Sequence, residues 1–519
     1  MGFNKVYLYP VLSGVLFGIC WNSLLPSVSL FIAFIPLLWL LQNKSFHYRT
    51  VFNFSFLAFL LYHLGTVWWL SISSFFGFMV IVILNSMIMA LVWVFIYRAR
   101  QNFGLGIGLL AFIIYWMAFE FIHYHWELSW PFMNLGNWLG QTTWIIQWYE
   151  YTGVLGGTLW VLLVNMLLFL SIRYYTKNQK YKSITLFIIS LLLIIVPIKI
   201  STFIYHGDFK NSDSKRYLII QPNIDPYTEK YNTDLFTHQI NQQIALAQKS
   251  GNAKIDCYIF PESSFPVDVN ELGIDTCEFV KYIKSKLIIN IETCILGGFY
   301  SYIPAGEDTL FYNTAFLISN NSSVRLRHKS KLVIGVEKMP FQQYFGSLRK
   351  WNLDFGGNNT SIATDNEPTV FISDDERLKM APIICYESVY GEYVASFINK
   401  GANVISVITN DGWWGNTPGF KQHLMHSQLR AIENRRAVVR AANTGTSCFI
   451  NEKGEVLKEI APWRQDTLAG TLPTIINKTF YTKHGDFIGE IALYFSAILL
   501  LINIIYQILY KIKSISKKP

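Results

Sequence analysis

Eight runs of mainly apolar residues constrain this 519-residue chain more than any other feature: 6–22, 25–42, 51–72, 75–97, 104–125, 152–172, 183–205 and 486–510. Roughly 17–25 such residues are what a helix needs to cross the hydrocarbon of a bilayer. Composition agrees: 52% of residues are hydrophobic and only 15% charged, against roughly a quarter charged in a soluble domain. That balance excludes a disordered, collagen-like or small disulfide-stapled chain. It predicts a polytopic α-helical membrane protein of about eight spans.

The charges are unevenly placed. Residues 1–205 carry ten Lys or Arg and three acids, Glu120, Glu127 and Glu150, for +7; residues 487–519 carry +3, which leaves −1 for 206–486. The overall +9 therefore describes the flanks of membrane spans, not a basic surface for nucleic acid. Two materials alternate: an almost uncharged shell at both ends and an ordinary charged domain between them.

Lys and Arg fall in alternate connections. Lys5, Lys44 and Arg49, Arg98 and Arg100, and Arg173, Lys177, Lys180 and Lys182 occupy one set; 23–24, 73–74 and 126–151 have none. By the positive-inside rule the N-terminus is cytoplasmic. Seven spans within 1–205 then place the central domain, 216–480, outside. The span 486–510 returns the basic tail 511–519 to the cytoplasm, and no cleavable signal peptide is expected. The stretch 126–151 is rich in Trp but broken by Pro131 and several Gly, which predicts an interfacial or re-entrant segment. Glu120 falls inside the fifth run, where it reads either as functional or as a carboxylate bonded between helices.

The central domain alternates β-rich runs with amphipathic stretches. Arg216–Gln221, Cys257–Phe260, Cys294–Tyr300, Thr314–Ile318, Ala381–Cys385 and Asn403–Thr409 read as strands, and Asp234–Ser250 and Phe420–Ala441 as helices. The pattern is that of a layered α/β domain. None of the six cysteines forms a C-x-x-C pair, so zinc and thioredoxin-like readings lack support. Five of them, Cys257, Cys277, Cys294, Cys385 and Cys448, lie in this domain, so disulfide pairing leaves at least one thiol over.

Three strand-end segments carry chemistry when taken together. Glu262 stands in Phe260-Pro261-Glu262-Ser263-Ser264, Lys329 in Arg327-His328-Lys329-Ser330-Lys331-Leu332-Val333, and Cys385 in Ile383-Ile384-Cys385-Tyr386-Glu387-Ser388. A thiol is mostly protonated at neutral pH and needs a base to become a nucleophile. A buried Glu takes that proton, and a Lys holds the negative charge that develops on an attacked carbonyl. The three residue types together suit acyl transfer. His423 and His426, three apart on a predicted helix, read as packing or capping groups rather than metal ligands.

The order Glu–Lys–Cys, within P-E-S, K-x-x-L-V and C-Y-E, resembles the nitrilase superfamily of carbon–nitrogen hydrolases. Asn410-Asp411-Gly412-Trp413-Trp414-Gly415, Gln422-His423 with Arg430–Arg435, and Arg440–Ser447 narrow the likeness, as do the eight runs. The whole chain is similar to the membrane-embedded branch of that superfamily, the apolipoprotein N-acyltransferases of bacterial envelopes.

The resemblance implies an α-β-β-α sandwich and a role for each matching residue. Cys385 would take an acyl chain from a phospholipid, phosphatidylethanolamine foremost, as a thioester. Glu262 would be the base and Lys329 the stabiliser of the tetrahedral intermediate, preferred over Lys331 by its distance from Leu332. Glu337 would orient the lysine or the incoming amine. Tyr386, Glu387, Trp413 and Trp414 match positions near the substrate, although Glu387 reads equally as a structural acceptor. The acceptor would be the α-amino group of a diacylated apolipoprotein. Neither a metal nor an organic cofactor is implied, nor nucleic acid. The setting would be the bacterial inner membrane.

This chain departs from the family pattern at Ile334, Val336 and Lys338, at Tyr231 after Lys230, and at Phe119–His123. Those positions bear on donor preference more than on the Glu–Lys–Cys set. The aromatic stretch 339–355 reads as a lid at the outer leaflet. Two rival functions are a membrane-anchored amidase for a small amide, and a non-catalytic lipoprotein-binding scaffold.

Overall fold

The computed structural model describes residues 6–21, 26–207, 213–249, 254–288, 290, 292–306, 308–334, 336–338, 362–365 and 367–515. The aromatic stretch 339–355, Lys5 and the end of the basic tail lie outside them. Two compact units emerge: residues up to 71, 76–204 and from 486 onward, and residues 72–75 with 205–485.

The first unit is helical. Each apolar run of the sequence holds helix: α1 (Leu8–Gly18), α2 (Pro26–Leu30) and α3 (Ile35–Leu40), α4 (Tyr48–Thr66), α5 (Phe75–Phe103), α6 (Leu105–Ile122), α7 (Tyr149–Thr176), α8 (Lys180–Tyr205) and a last helix over Phe487–Ile515. Among the described residues, five are long and apolar enough to cross a membrane: α5, α6, α7, α8 and the last. The second run, expected as one helix, is broken between α2 and α3. Pro36 at the start of α3 cannot donate to the preceding turn. Asn165 of α7 repairs the break: its Oδ1 accepts from Phe34 N at 2.8 Å and its Nδ2 donates to Leu30 O at 2.7 Å.

The Trp-rich segment forms three short 3₁₀ turns, Pro131–Met133, Leu135–Gln141 and Thr143–Ile145, and its residues 130–140 are buried inside the helical unit. Irregular backbone in such a place needs partners for its polar groups. Glu120 provides one: its carboxylate accepts from Leu135 N (3.0 Å), Trp116 Nε1 (2.9 Å) and Thr158 Oγ1 (2.6 Å). Thr158 Oγ1 also accepts from Gly136 N at 3.0 Å. A Cβ on Gly136 would stand 2.0 Å from Val154 O, so only glycine permits this approach of segment to helix. Of the two readings of Glu120, the structure shows the bonded one.

The second unit is a sandwich of two sheets. One orders its strands β13-β1-β2-β4-β5-β6 with β3 on β4; the other runs β12-β11-β10-β9-β8-β7. The strands are β1 Ser214–Gln221, β2 Cys257–Ile259, β3 Phe265–Asn270, β4 Cys294–Ala305, β5 Asp308–Ile318, β6 Arg325–His328, β7 Phe371–Ile372, β8 Lys379–Ile384, β9 Val404–Thr409, β10 Val438–Ala442, β11 Ser447–Ile450, β12 Val456–Ile460 and β13 Asp466–Pro473. Alternate side chains of each strand point to opposite faces. Tyr217, Ile219, Ile259 and Leu296 therefore meet Met380, Ile384, Val404 and Val439 between the sheets. On the outer faces, α9 (Phe236–Gln248) and α10 (Glu278–Leu287) cover the first sheet, while α11 (Gly391–Asn399) and α12 (Pro418–Asn434) cover the second. This is the expected α-β-β-α order.

One expected helix is shorter than its sequence pattern. Phe420–Ala441 was to be helical throughout, but α12 ends where Arg435 turns left-handed at φ +48°. Val438–Ala442 then pairs in parallel with β9 as a central strand, where β-branched residues pack well. All six cysteines are free thiols. Cys257 and Cys294, register partners on β2 and β4, place their sulfurs 2.9 Å apart.

Candidate active site

Parallel pairing of β1 with β2 and of β9 with both β8 and β10 puts the carboxyl ends of these strands along one edge of each sheet. That edge is where layered α/β domains gather polar groups. Glu262 follows β2, Lys329 follows β6, Cys385 follows β8, and Asn410 with Asp411 follows β9.

The structure brings Glu262 and Lys329 together. Lys329 Nζ lies 3.0 Å from Glu262 Oε1 and 2.8 Å from Glu337 Oε1, with its side chain 1% exposed. Asn313 Nδ2 donates to Glu262 Oε1 at 2.9 Å, and Asn410 N–H to Oε2 at 3.1 Å. Glu337 is fixed in turn by Val333 N–H at 2.9 Å. Burial pushes the Glu262 carboxyl up, but Lys329, Lys230 and the hydrogen bonds outweigh it and hold the group below the usual carboxylate range. Burial likewise works against the Lys329 ammonium, yet Glu262, Glu337 and Cys385 keep it charged far above neutrality.

Cys385 opens a 3₁₀ turn, Cys385–Val389, with φ +50°. A non-glycine residue held in that region is a strained bend of the kind found at functional sites. Its thiol is pushed well up by burial first and then by Glu262, against the opposing pull of Lys329 and a hydrogen bond with Thr409. The resting pair is thus a neutral thiol and an ionised carboxylate, an arrangement in which a thiol becomes nucleophilic only when a base takes its proton.

Two further groups fix the turn from behind. Glu387 accepts from Ile384 N (2.7 Å), Ser330 N (2.7 Å) and Arg327 Nη1 (2.6 Å), and also from Arg327 Nη2. It joins the loop carrying Lys329 to the turn carrying Cys385. His423 Nε2 lies 3.1 Å from the Cys385 carbonyl oxygen, which can only accept, and Nδ1 lies 2.9 Å from Asp411 Oδ1. Arg440 Nη2 donates to Asp411 Oδ2 at 2.7 Å. Burial raises the Asp411 carboxyl, and Arg440 with His423 more than reverses it.

The remaining expected residues surround these. Tyr386 is buried and stands edge-on to Tyr390, 5.5 Å between centroids. Trp413 accepts at its carbonyl from Tyr227 Oη at 2.8 Å, and Trp414 packs edge-on to His423. Lys331, the alternative lysine, sits over the Tyr390 ring at 5.1 Å instead of reaching Glu262.

Sequence reasoning assigned no role to Asn313, Arg327, Lys230, Asp411 or Arg440, and gave His423 only a packing or capping one. Asn313 sits mid-strand on β5 with no local signal. Asp411 and Arg440 lie in the quoted Asn410–Gly415 and Arg440–Ser447 segments, and the signal there was their partnership, which only the fold displays. Gly298 on β4 is another: a Cβ there would come within 2.8 Å of Ser263 N and 3.2 Å of Glu262 Cα.

Two family models match the chain. The carbon–nitrogen hydrolase model covers residues 219–475, and the model of the apolipoprotein N-acyltransferase N-terminal domain covers residues 13–167. Similar relatives include the apolipoprotein N-acyltransferase of Chlorobaculum tepidum, 29% identical over 525 residues and 96% of either chain. That of Geobacter metallireducens is 26% identical over 93% of this chain and 92% of its own. That of Aquifex aeolicus is 29% identical over 87% and 95%.

Proposed function

This chain belongs to the apolipoprotein N-acyltransferase family, and we propose that it moves a fatty acyl chain from a glycerophospholipid to the N-terminal amine of a diacylated lipoprotein by way of a Cys385 thioester. The observation that carries the mechanism is the convergence of buried Glu262 and Lys329 with the partly buried Cys385 at the strand ends.

In the first half-reaction the Cys385 sulfur attacks the ester carbonyl while Glu262 takes the thiol proton. The oxyanion forms beside the Lys329 ammonium, which already faces Glu262 and needs no reorganisation to meet the charge. Collapse breaks the C–O bond; the departing lysophospholipid alkoxide takes the proton from Glu262, and the acyl group stays on sulfur. In the second half-reaction the α-amine of the S-diacylglyceryl-cysteine attacks the thioester and passes a proton to Glu262. The C–S bond breaks, an amide forms, and the thiolate recovers its proton. One site used twice in this way gives ping-pong kinetics. Every step draws on side chains of this chain.

The helical unit fits a reaction whose two substrates are both lipids. We place the chain in the bacterial inner membrane with the sandwich on the outer face and both termini in the cytoplasm. Support for this orientation comes from the Lys and Arg of alternate connections. Phosphatidylethanolamine is the proposed donor.

Mass spectrometry of the purified protein, incubated with phosphatidylethanolamine and no acceptor, tests this reading. A fatty-acyl mass on the Cys385 peptide is expected, discharged by a diacylated lipopeptide and absent from Cys385→Ala. An unmodified Cys385 in folded protein would overturn the reading and send the search to small amides or to lipoprotein binding.

A further inference from the structure

Lys230 stands outside the Glu–Lys–Cys set but inside its field. Its residue is 5% exposed. Its backbone N–H closes the turn after β1 on Asp225 O at 3.0 Å, and Gln239 Nε2 holds the preceding carbonyl, that of Glu229, at 2.7 Å. The ammonium donates to Ser263 Oγ at 2.7 Å. Ser263 directly follows Glu262 and is itself left-handed, φ +41°. The lysine thus grips the same bend that aims the carboxylate.

Charge balance supplies the reason. Glu262, Glu337 and Lys329 are one bonded group, and with all three ionised it carries a net negative charge. Burying unbalanced charge is costly, and a buried carboxyl relieves the cost by taking up a proton. A base that did so could not accept the proton of Cys385. Lys230 brings the group to neutrality. It interacts with Glu262 and also with Cys385, so it stays near the negative charge as that charge passes from carboxylate to sulfur.

We propose that Lys230 is a positioning residue for the acylation step: its ammonium, anchored on Ser263, supplies the counter-charge that keeps Glu262 ionised and ready to take the Cys385 proton. This rests on the acyl-transfer reading above and assigns a second cation to it. The other titratable groups facing Glu262 are Lys329 and Glu337 after β6, Cys385 after β8, Tyr231 beside Lys230, and Tyr300 on β4. Asp411 after β9 faces Cys385. Burial brings Lys230 down to about 8, with Glu262 and Cys385 opposing that fall and Lys329 reinforcing it. Its positive charge is therefore present at neutral pH.

The test is the pH profile of single-turnover thioester formation by the full-length protein in detergent, read by mass spectrometry of the Cys385 peptide. Lys230→Met should move the acid limb upward by about one pH unit, Lys230→Arg should restore it, and Ser263→Ala should move it less in the same direction. A uniform loss of rate in Lys230→Met with an unmoved limb would mean a purely structural lysine and overturn the proposal. Should Lys230→Met fail to fold, an unmoved limb in both Lys230→Gln and Ser263→Ala does the same. Alkylation of Cys385 by iodoacetamide over the same pH range needs no lipid. A shifted alkylation limb without any wild-type thioester would leave this inference standing while the acyl-transfer reading fell.

Discussion

Glu262 and Glu387 are both buried carboxylates beside a cation at the end of a β-strand, yet their surroundings divide them by role. Glu387 meets the flat fork of Arg327 with both oxygens and takes two backbone N–H groups besides. A planar pair of that kind is geometrically closed. Glu262 meets the point charges of two lysines, one asparagine and one backbone N–H, and shares its field with a thiol. The first arrangement holds two loops together. On the proposed acyl-transfer reading, the second holds a charge that can be given up and recovered. Guanidinium against ammonium would then separate a strut from a base, although both residues read as Glu after a strand.

Substitutions sharpen the contrast. Glu262→Gln keeps the size and most hydrogen bonds but removes the base, so acylation should fall by about 10²–10⁴-fold while urea unfolding changes little. Glu387→Ala should do the reverse. It leaves the Arg327 guanidinium buried and unpaired, which costs about 3–5 kcal/mol of stability and should be visible as an earlier urea midpoint. A Glu387→Ala protein that unfolds normally and only loses activity would erase the distinction.

Glu337→Gln should have a smaller effect than Glu262→Gln. Lys329 would keep Glu262 as its partner, and a slowing of about tenfold, the equivalent of one pKa unit, is expected in the acylation rate without loss of fold. The smallest effect concerns His328, clamped by Glu271 at 2.7 Å and Asp365 at 2.9 Å. Burial works against its charge, but the two carboxylates outweigh burial and raise it to about 9. A raised folded-state value stabilises the protein fully below the ordinary histidine value of about 6.5, and that contribution is lost as pH climbs through about 9. Melting temperatures should therefore decline over that window in the wild type and decline less in His328→Gln.

Much of this was legible beforehand because it depends on local pattern. Apolar run length placed the helices, short β-rich runs placed β1, β2, β4, β5, β8 and β9, and residue order placed Glu262, Lys329 and Cys385. What escaped depends on long-range partners. The break between α2 and α3 is made tolerable by Asn165, more than a hundred residues away. The end of α12 and the start of β10 were read as one helix, because β10 serves a sheet whose other strands had to be known first. Lys230 and Arg327 look like two more surface cations until the fold encloses them. Their meaning lies in which carboxylate each one meets, a property no window of sequence contains.

The pairing of β1 with β13 has a consequence in time. Eight residues of the first strand, Ser214–Gln221, take their partners from Asp466–Pro473. At about 5–20 residues per second of synthesis, the later strand emerges roughly 10–50 seconds after the earlier one. Until then β1 lacks one of its two neighbours, and open strand edges invite the wrong pairing. The last helix, beginning at Phe487, follows β13 almost at once. Closure of the sandwich and delivery of the final apolar segment are therefore near-simultaneous events on the ribosome, and the cell has to hold an unfinished sheet for most of the time the domain takes to make.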